Sequence, residues 1–427
     1  MLIQELYSIY LEQPSIQTDT RQLKNGDLFF ALKGPHFNGN KFAKKALEAG
    51  ASYAVIDEAV EFEDERLIST NDVLQTLQEL AKYHRQQFSI PFIAITGSNG
   101  KTTTKELVNE VLASTYKTYT TKGNLNNHIG VPLTILSIKA DAEMAVIEMG
   151  ANHQKEIESY CEYTMPTHGI ITNIGKAHLE GFGGEAGVKK GKGELFDYLN
   201  KYNGAAFIMN DYADLVEMSK TIAEVVTYGT INADLTGHVL KNTEFLQVVF
   251  SGGTDIQQIN TNLVGEYNLP NILAAVTVGK YFKVEEVAIK KALESYMPSN
   301  SRSQLVEKGT NKIILDAYNA NPTSMKAAIE NFAKMDGDDK VLLLGGMMEL
   351  GETSLQEHAA IVDLIIQYKW KSVVLVGGDF EKLKNDFIYF NKSLEAKKWF
   401  KDQHFTNTRI LVKGSRSMQM EKIVEED

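Results

Sequence analysis

The run Thr96-Gly97-Ser98-Asn99-Gly100-Lys101-Thr102-Thr103-Thr104 carries the clearest chemical signal in the chain. An apolar, β-rich stretch (FIAIT, residues 92–96) leads into it, and helical spacing of apolar residues follows to about residue 114. A glycine turn between a strand and a helix aims backbone N–H groups at one point, where the helix N-terminus also favours negative charge. Gly97 and Gly100 permit the positive φ and close backbone approach that a phosphate demands. Lys101 would reach the β and γ phosphates of ATP, and the Thr102 hydroxyl would ligate Mg²⁺. Ser98, Asn99 and Thr103 complete the cradle. The spacing G-x-x-G-K-T is shorter than the common G-x-x-x-x-G-K-[ST]. A glycine turn that only caps a helix is the alternative; the strand–turn–helix context favours phosphate.

Other residues of the right type stand at strand ends. Glu148 closes a second apolar run (AVIE, residues 145–148), where a carboxylate beside a phosphate loop can hold Mg²⁺. An ordinary acid at a turn is the alternative. His178, in TNIGKAH at 172–178, is a candidate for a second metal ligand or a phosphate contact, although an isolated histidine is usually structural or solvated. Lys192, in GKGELF at 191–196, reads as the start of a helix after a glycine-rich mobile loop at 181–193. A solvated lysine in a basic run accounts for it as well. Residues 123–132 (GNLNNHIGVP) are dense in amides, so Asn124 and Asn127 could hold a polar substrate or simply make turns. Asp316, Tyr318 and Asn319 follow one strand directly, and GGMMELGE at 345–352, with His358 beyond, follows another. Doubly wound sheets place ligands there, yet these are also good turn residues.

Positioning these residues requires three α/β regions. Short strands at 27–32 and 54–56, with helices at 41–49 and 73–83, make a small mixed region over residues 1–88. Residues 89–298 read as a phosphate-loop domain with a doubly wound parallel sheet: strands at 92–96, 145–148, 169–173 and 206–209, and helices at 102–114, 271–281 and 284–295. The alternating stretch 235–259, which contains Ser251-Gly252-Gly253, reads as an appended hairpin. A polar, breaker-rich link at 298–303 opens a Rossmann-like region, 299–427. Its strands fall at 312–315, 341–344, 372–376 and 409–412, with helices at 324–335, 355–368 and 393–399. Hinges are expected near 88–91 and 298–303.

The 427 residues, 43% hydrophobic and 23% charged, suit a soluble globular chain of several domains. A net charge of −11 argues against a nucleic-acid partner but not against a local nucleotide site. The single cysteine, Cys161, forbids an internal disulfide and reads as a small helix residue rather than a nucleophile. Residues 1–14 lack the pattern of a signal peptide, and no run approaches a membrane helix, so a cytoplasmic protein with no membrane partner is expected.

Taken together, these motifs resemble the Mur ligases over nearly the whole chain. TGSNGKTTTKE at 96–106 is similar to the short phosphate loop of that superfamily, which accounts for its spacing. GNLNNHIGVPLTIL at 123–136, DAYNANPTSM at 316–325 and GGMMELGE at 345–352 resemble the branch that adds D-alanyl-D-alanine. The D-N-P-R tetrapeptide of the diamino-acid branch is absent. The resemblance implies an ATP- and Mg²⁺-dependent ligase of cell-wall synthesis acting on UDP-N-acetylmuramoyl-tripeptide and D-alanyl-D-alanine, expected as a monomer. It implies a catalytic set of Lys101, Glu148, His178 and Lys192. Thr102, Glu148 and His178 would be metal ligands, joined by Lys192 if carbamylated as in sister ligases. Asn268, Asn271, Arg302 and Asp316 would contact the nucleotide. Thr20 and Arg21, in a D-T-R…G-D-L-F pattern, would hold the uridine nucleotide; Thr121, Asn124, Asn127, Tyr318 and Asn319 would meet substrate. Lys413-Gly414-Ser415-Arg416 matches a C-terminal segment of the family. A sister ligase for another amino acid, or a non-catalytic ATP-binding homologue, are the alternatives.

Overall fold

Each of the three regions builds its own sheet in the computed structural model, which describes residues 1–13, 15–240, 244–299 and 301–425. Asn300 of the expected link and residues 241–243 of the expected hairpin lie outside the described residues. The first sheet has four parallel strands, ordered Ile16–Gln17, Leu28–Phe30, Tyr53–Ile56 and Leu67–Ser69. The helices Ile3–Glu12 and Val73–Arg85 belong to this region; the first was not anticipated.

The central sheet has nine strands. Phe92–Thr96 is buried at every position, because it lies between His168–Ile171 and Met144–Glu148 with helices over both faces. The strand order reverses at this point, and the crevice beyond the strand C-termini is where such sheets take ligands. Lys101–Ala113 buries Leu107, Val108, Val111 and Leu112, and it packs on the apolar helix Leu269–Tyr281. The expected hairpin is instead an antiparallel meander of three strands, Leu235–Val239, Gln247–Gly252 and Gln258–Asn260. Ser251 and Gly252 end its middle strand, and Gly253 opens the turn that follows.

Two further expectations are corrected. The glycine-dense stretch 181–193 is not a loop: a short helix, Leu179–Phe182, is followed by the helix Glu185–Lys201, with Lys192 well inside it and fully buried. Part of the amide-rich segment is helical too. Gly130–Leu136 starts where Asn127 Oδ1 accepts the N–H groups of Ile129 (3.1 Å) and Gly130 (2.8 Å).

The third sheet has six strands, parallel except for Gln304–Lys308, and its central trio is Asn311–Asp316, Arg409–Lys413 and Lys340–Gly345. Their C-terminal ends face the phosphate-loop end of the central sheet. Among the described residues no helix is long and apolar enough to cross a membrane.

The two junctions between regions differ. Arg85, buried at the end of Val73–Arg85, donates to the carbonyls of Thr164 (2.9 Å), Met165 (3.0 Å) and Phe88 (2.8 Å), and its guanidinium lies 3.7 Å over the Phe92 ring. His84 bonds the Ile138 carbonyl (2.8 Å) and the Tyr7 hydroxyl (3.0 Å), and the Tyr10 hydroxyl donates to the Leu136 carbonyl. Residues 88–91 are therefore pinned, contrary to the expected hinge. The second junction joins ion pairs and amides to backbone bonds such as Glu180 N–H to the Glu349 carbonyl (3.3 Å).

Candidate active site

The phosphate loop is held open by its neighbours. Gly97 has φ +140°, and a Cβ there would run into the Thr172 hydroxyl. Gly100 caps the helix with φ +78°, and a Cβ there would crowd the Asn271 amide oxygen at 2.8 Å. Asn173, just past the adjacent strand, accepts the Ser98 N–H on its carbonyl (3.0 Å) and the Asn99 N–H on its side chain (3.0 Å). Lys101 Nζ donates to the carbonyls of Gly97 (2.7 Å) and Ser98 (3.4 Å), so its side chain arches over the loop. Burial lowers the Lys101 ammonium from its ordinary pKa, while Glu148 pulls the other way.

Glu148 is 1% exposed at the C-terminus of Met144–Glu148. Its Oε1 accepts from Thr102 Oγ1 (3.1 Å) and Asn126 Nδ2 (2.7 Å), whereas Oε2 is buried with no hydrogen-bond partner. A buried, orphaned carboxylate oxygen beside the loop threonine fits a hard cation. Among the described residues no three His, Cys, Asp or Glu side chains gather as a cage.

The remaining expected residues divide. A cavity of about 1090 Å³ between the central and C-terminal regions is lined by Ser98, Asn99, Gly100, Lys101, Thr102 and Thr103. Asn124, Asn127, Glu148 and His178 also line it, as do Asn268, Asn271, Arg302, Asp316, Tyr318 and Asn319. Thr121 is fully buried behind it; its hydroxyl accepts the Glu148 backbone N–H (2.9 Å), so it braces the strand end that carries Glu148 and does not line the cavity. Thr20 and Arg21 lie in the N-terminal region outside this cavity, with Arg21 exposed and paired to Asp19 (2.6 Å).

Lys192 does not line the cavity either, and the solvated lysine is corrected to a buried one. Its Nζ donates to the Ala151 carbonyl (3.0 Å) and sits 4.9 Å from the Phe182 ring centre. Burial pushes its pKa well below the ordinary value, and the nearby Lys101 charge adds to this. Cys161 is buried in Glu156–Thr164, and burial pushes its thiol up, away from thiolate chemistry.

A chain of amides ties the loop helix to the C-terminal region. Thr104 Oγ1 donates to Asn271 (3.0 Å), Asn271 to Asn268 (2.8 Å), and Asn268 to Ser303 Oγ (3.2 Å). Arg302 stacks 3.5 Å over the Tyr318 ring, and its Nε is buried without a partner. Asp316 accepts from Lys413 Nζ (2.6 Å). Across the cavity mouth, Asn321 donates to Asn99 (2.7 Å), Lys176 pairs with Glu357 (2.6 Å), and His178 Nδ1 abuts the Glu349 carboxylate. That contact holds the Glu349 carboxyl below the usual range. His178 thus touches the C-terminal region while lining the same cavity as Glu148. Asn126, Asn173 and Asn321 were not singled out in advance. Their only sequence signal is a place in a segment already noted; Glu357 had none.

A phosphate loop with a metal-ready carboxylate on the next strand, roofed by a second α/β region, defines a nucleotide-dependent enzyme of the phosphate-loop class. Three family models cover the chain in turn: Mur ligase family, catalytic domain (residues 14–91), Mur ligase middle domain (95–279), and Mur ligase, glutamate ligase domain (301–416). The UDP-N-acetylmuramoyl-tripeptide–D-alanyl-D-alanine ligase of Bacillus subtilis is 33% identical, over 96% of this chain and 92% of its own. The Escherichia coli ligase of the same name is 36% identical, over 98% and 95%. Among solved structures, a MurF from Acinetobacter baumannii aligns with TM-score 0.86 at 30% identity, covering 96% of this chain and 92% of that one. The MurF ligase of Thermotoga maritima in complex with ADP also gives 0.86, at 25% identity and 97% of both chains. The chain belongs to the Mur ligase family.

Proposed function

We propose that this protein is an ATP-dependent, ADP-forming ligase that joins D-alanyl-D-alanine to UDP-N-acetylmuramoyl-tripeptide in peptidoglycan precursor synthesis. The observation that carries the chemistry is Glu148 Oε2, buried and unpartnered beside Thr102 inside a cavity shared by two regions. Full-length similarity to ligases of that name supports the choice of substrates.

Amide formation in water is uphill, so the carboxylate must first be activated. The tripeptide carboxylate attacks the γ-phosphorus of ATP, giving an acyl phosphate and ADP. The D-alanyl-D-alanine amine then attacks the acyl carbon, inorganic phosphate leaves, and the amine gives up a proton. Lys101 and the loop N–H groups offset charge on the transferring phosphoryl group. Glu148 and Thr102 would hold Mg²⁺, which would supply further positive charge at the phosphate oxygens. Asn268, Asn271, Arg302 and Asp316 take the nucleoside end, while Asn124, Asn127, Tyr318 and Asn319 line the acceptor side. Residues 1–88, through Thr20 and Arg21, hold the uridine nucleotide; residues 89–298 hold ATP; residues 299–427 close over both and exclude water. Burial shifts Lys192 toward the uncharged amine, the form that adds carbon dioxide, so carbamylation belongs to this reading. A cytoplasmic monomer belongs to it as well.

The test is phosphate release by the purified protein with ATP and magnesium, with each substrate omitted in turn and the amine varied across a panel. Release that needs both the UDP-linked tripeptide and D-alanyl-D-alanine is the expected result. Turnover with a different amine alone, or no affinity for ATP with both other reactants present, sinks the assignment.

A further inference from the structure

An incoming amine reaches the cavity as an ammonium ion, and such a cavity needs a carboxylate to receive it near the phosphate end. Most carboxylates lining this one are committed. Glu148 bonds Thr102 and Asn126 through Oε1 and keeps Oε2 for the cation of the reading above; Asp316 is held by Lys413, and Glu156 by the N–H groups of Asn152 and His153. Asp211 accepts from Thr230, and Asp214 pairs with Lys189. Glu266 stands beside Tyr267 and Asn268, at the nucleoside end.

Glu349 differs from all of these. Its side chain is 52% exposed, and among the described residues His178 is its one side-chain partner. It comes from the C-terminal region but stands against His178, on the phosphate-loop side of the cavity. Its backbone is left-handed, φ +63°, which a residue with a side chain adopts only when its surroundings enforce it. The loop is pinned on three sides. Met347 N–H donates to Nε2 of the fully buried His358 (3.0 Å), whose Nδ1 bonds the Ser354 carbonyl (2.7 Å). Met348 N–H donates to Ser415 Oγ (3.0 Å), and the Glu349 carbonyl accepts the Glu180 N–H (3.3 Å). The loop thus holds one half-free carboxylate toward the cavity.

We propose that Glu349 is the docking carboxylate for the ammonium group of the incoming amine. This rests on the ligase reading above. The test measures KM for each of the three substrates in Glu349→Gln and Glu349→Asp, with the amine being whichever one the wild type joins. Losing a charge-assisted hydrogen bond should raise the amine KM by about tenfold or more in Glu349→Gln. The KM values for ATP and the UDP-linked substrate should stay within about twofold, and Glu349→Asp should recover part of the loss. An unchanged amine KM, or a common rise in all three, overturns the proposal. A wild type that uses another amine sinks the D-alanyl-D-alanine assignment alone, because the Glu349 comparison then proceeds with that amine. A wild type that joins no amine sinks both.

Discussion

The central region meets its two neighbours by opposite means. Toward the N-terminal region the contacts are buried side chains on backbone carbonyls: Arg85 on Thr164 and Met165, His84 on Ile138, Tyr10 on Leu136. Toward the C-terminal region ion pairs dominate, Lys176 with Glu357, His178 with Glu349, and Lys312 and Arg409 with Glu244, beside one buried amide link from Asn268 to Ser303. A buried donor cannot leave a carbonyl without stranding it, whereas exposed charges exchange one partner for water at little cost. The first junction is a fixed joint. The second can open, and the cavity lies in the one that can open. Of the two hinges expected from sequence, only the one around 298–303 suits this arrangement.

The largest expected effect separates chemistry from both joints. Lys101→Ala should lower kcat by about a hundred- to a thousandfold while leaving the urea unfolding midpoint in place. Near-normal turnover in that variant would remove the phosphate loop from the mechanism. Next in size, Arg85→Ala strands three carbonyls and loses the stack on Phe92, so it should cost about 3 kcal/mol in denaturant unfolding. If it costs no more than a surface pair, the contrast between the joints is wrong.

A third measurement sharpens the contrast through pH. Burial lowers His84 below its ordinary 6.5, with the Ile138 carbonyl pulling the other way. The unfolded chain therefore takes up this proton first as pH falls. The contribution of His84 is whole above pH 6.5 and is lost as acid carries the pH down through the lower folded-state value. His84→Gln should flatten that part of the stability profile; an unchanged slope would clear His84 of the role. The smallest effect belongs to the openable joint. Lys176→Ala or Glu357→Ala should change stability by less than about 1 kcal/mol, with the wild-type advantage fading in high salt.

Legibility followed the physics of each element. Phe92–Thr96 and Ser372–Val376 stand where the apolar runs predict them, because strands buried on both faces leave an unbroken record. The helices Lys101–Ala113 and Leu269–Tyr281 begin within two residues of expectation, since glycine and Asn-Leu-Pro mark their starts. What a side chain faces is not written in local spacing. His178 meets Glu349 across 171 positions of sequence, and Lys176 meets Glu357 across 181. The short strands Thr118–Thr120 and Ile388–Phe390 are only partly buried and leave no run to detect. Lys192 was misplaced because its neighbours are glycines and lysines, a composition that ordinarily signals a solvated loop.

Gly187 and Gly191 serve contact rather than freedom. A Cβ at Gly187 would strike the Phe182 carbonyl, and one at Gly191 would strike the Phe182 ring, so the helix lies directly on the short one before it. Mutational tolerance along the chain should therefore be inverted here. The stretch whose composition looks most forgiving of drift, insertion or tagging is among the least able to accept even one added methyl group.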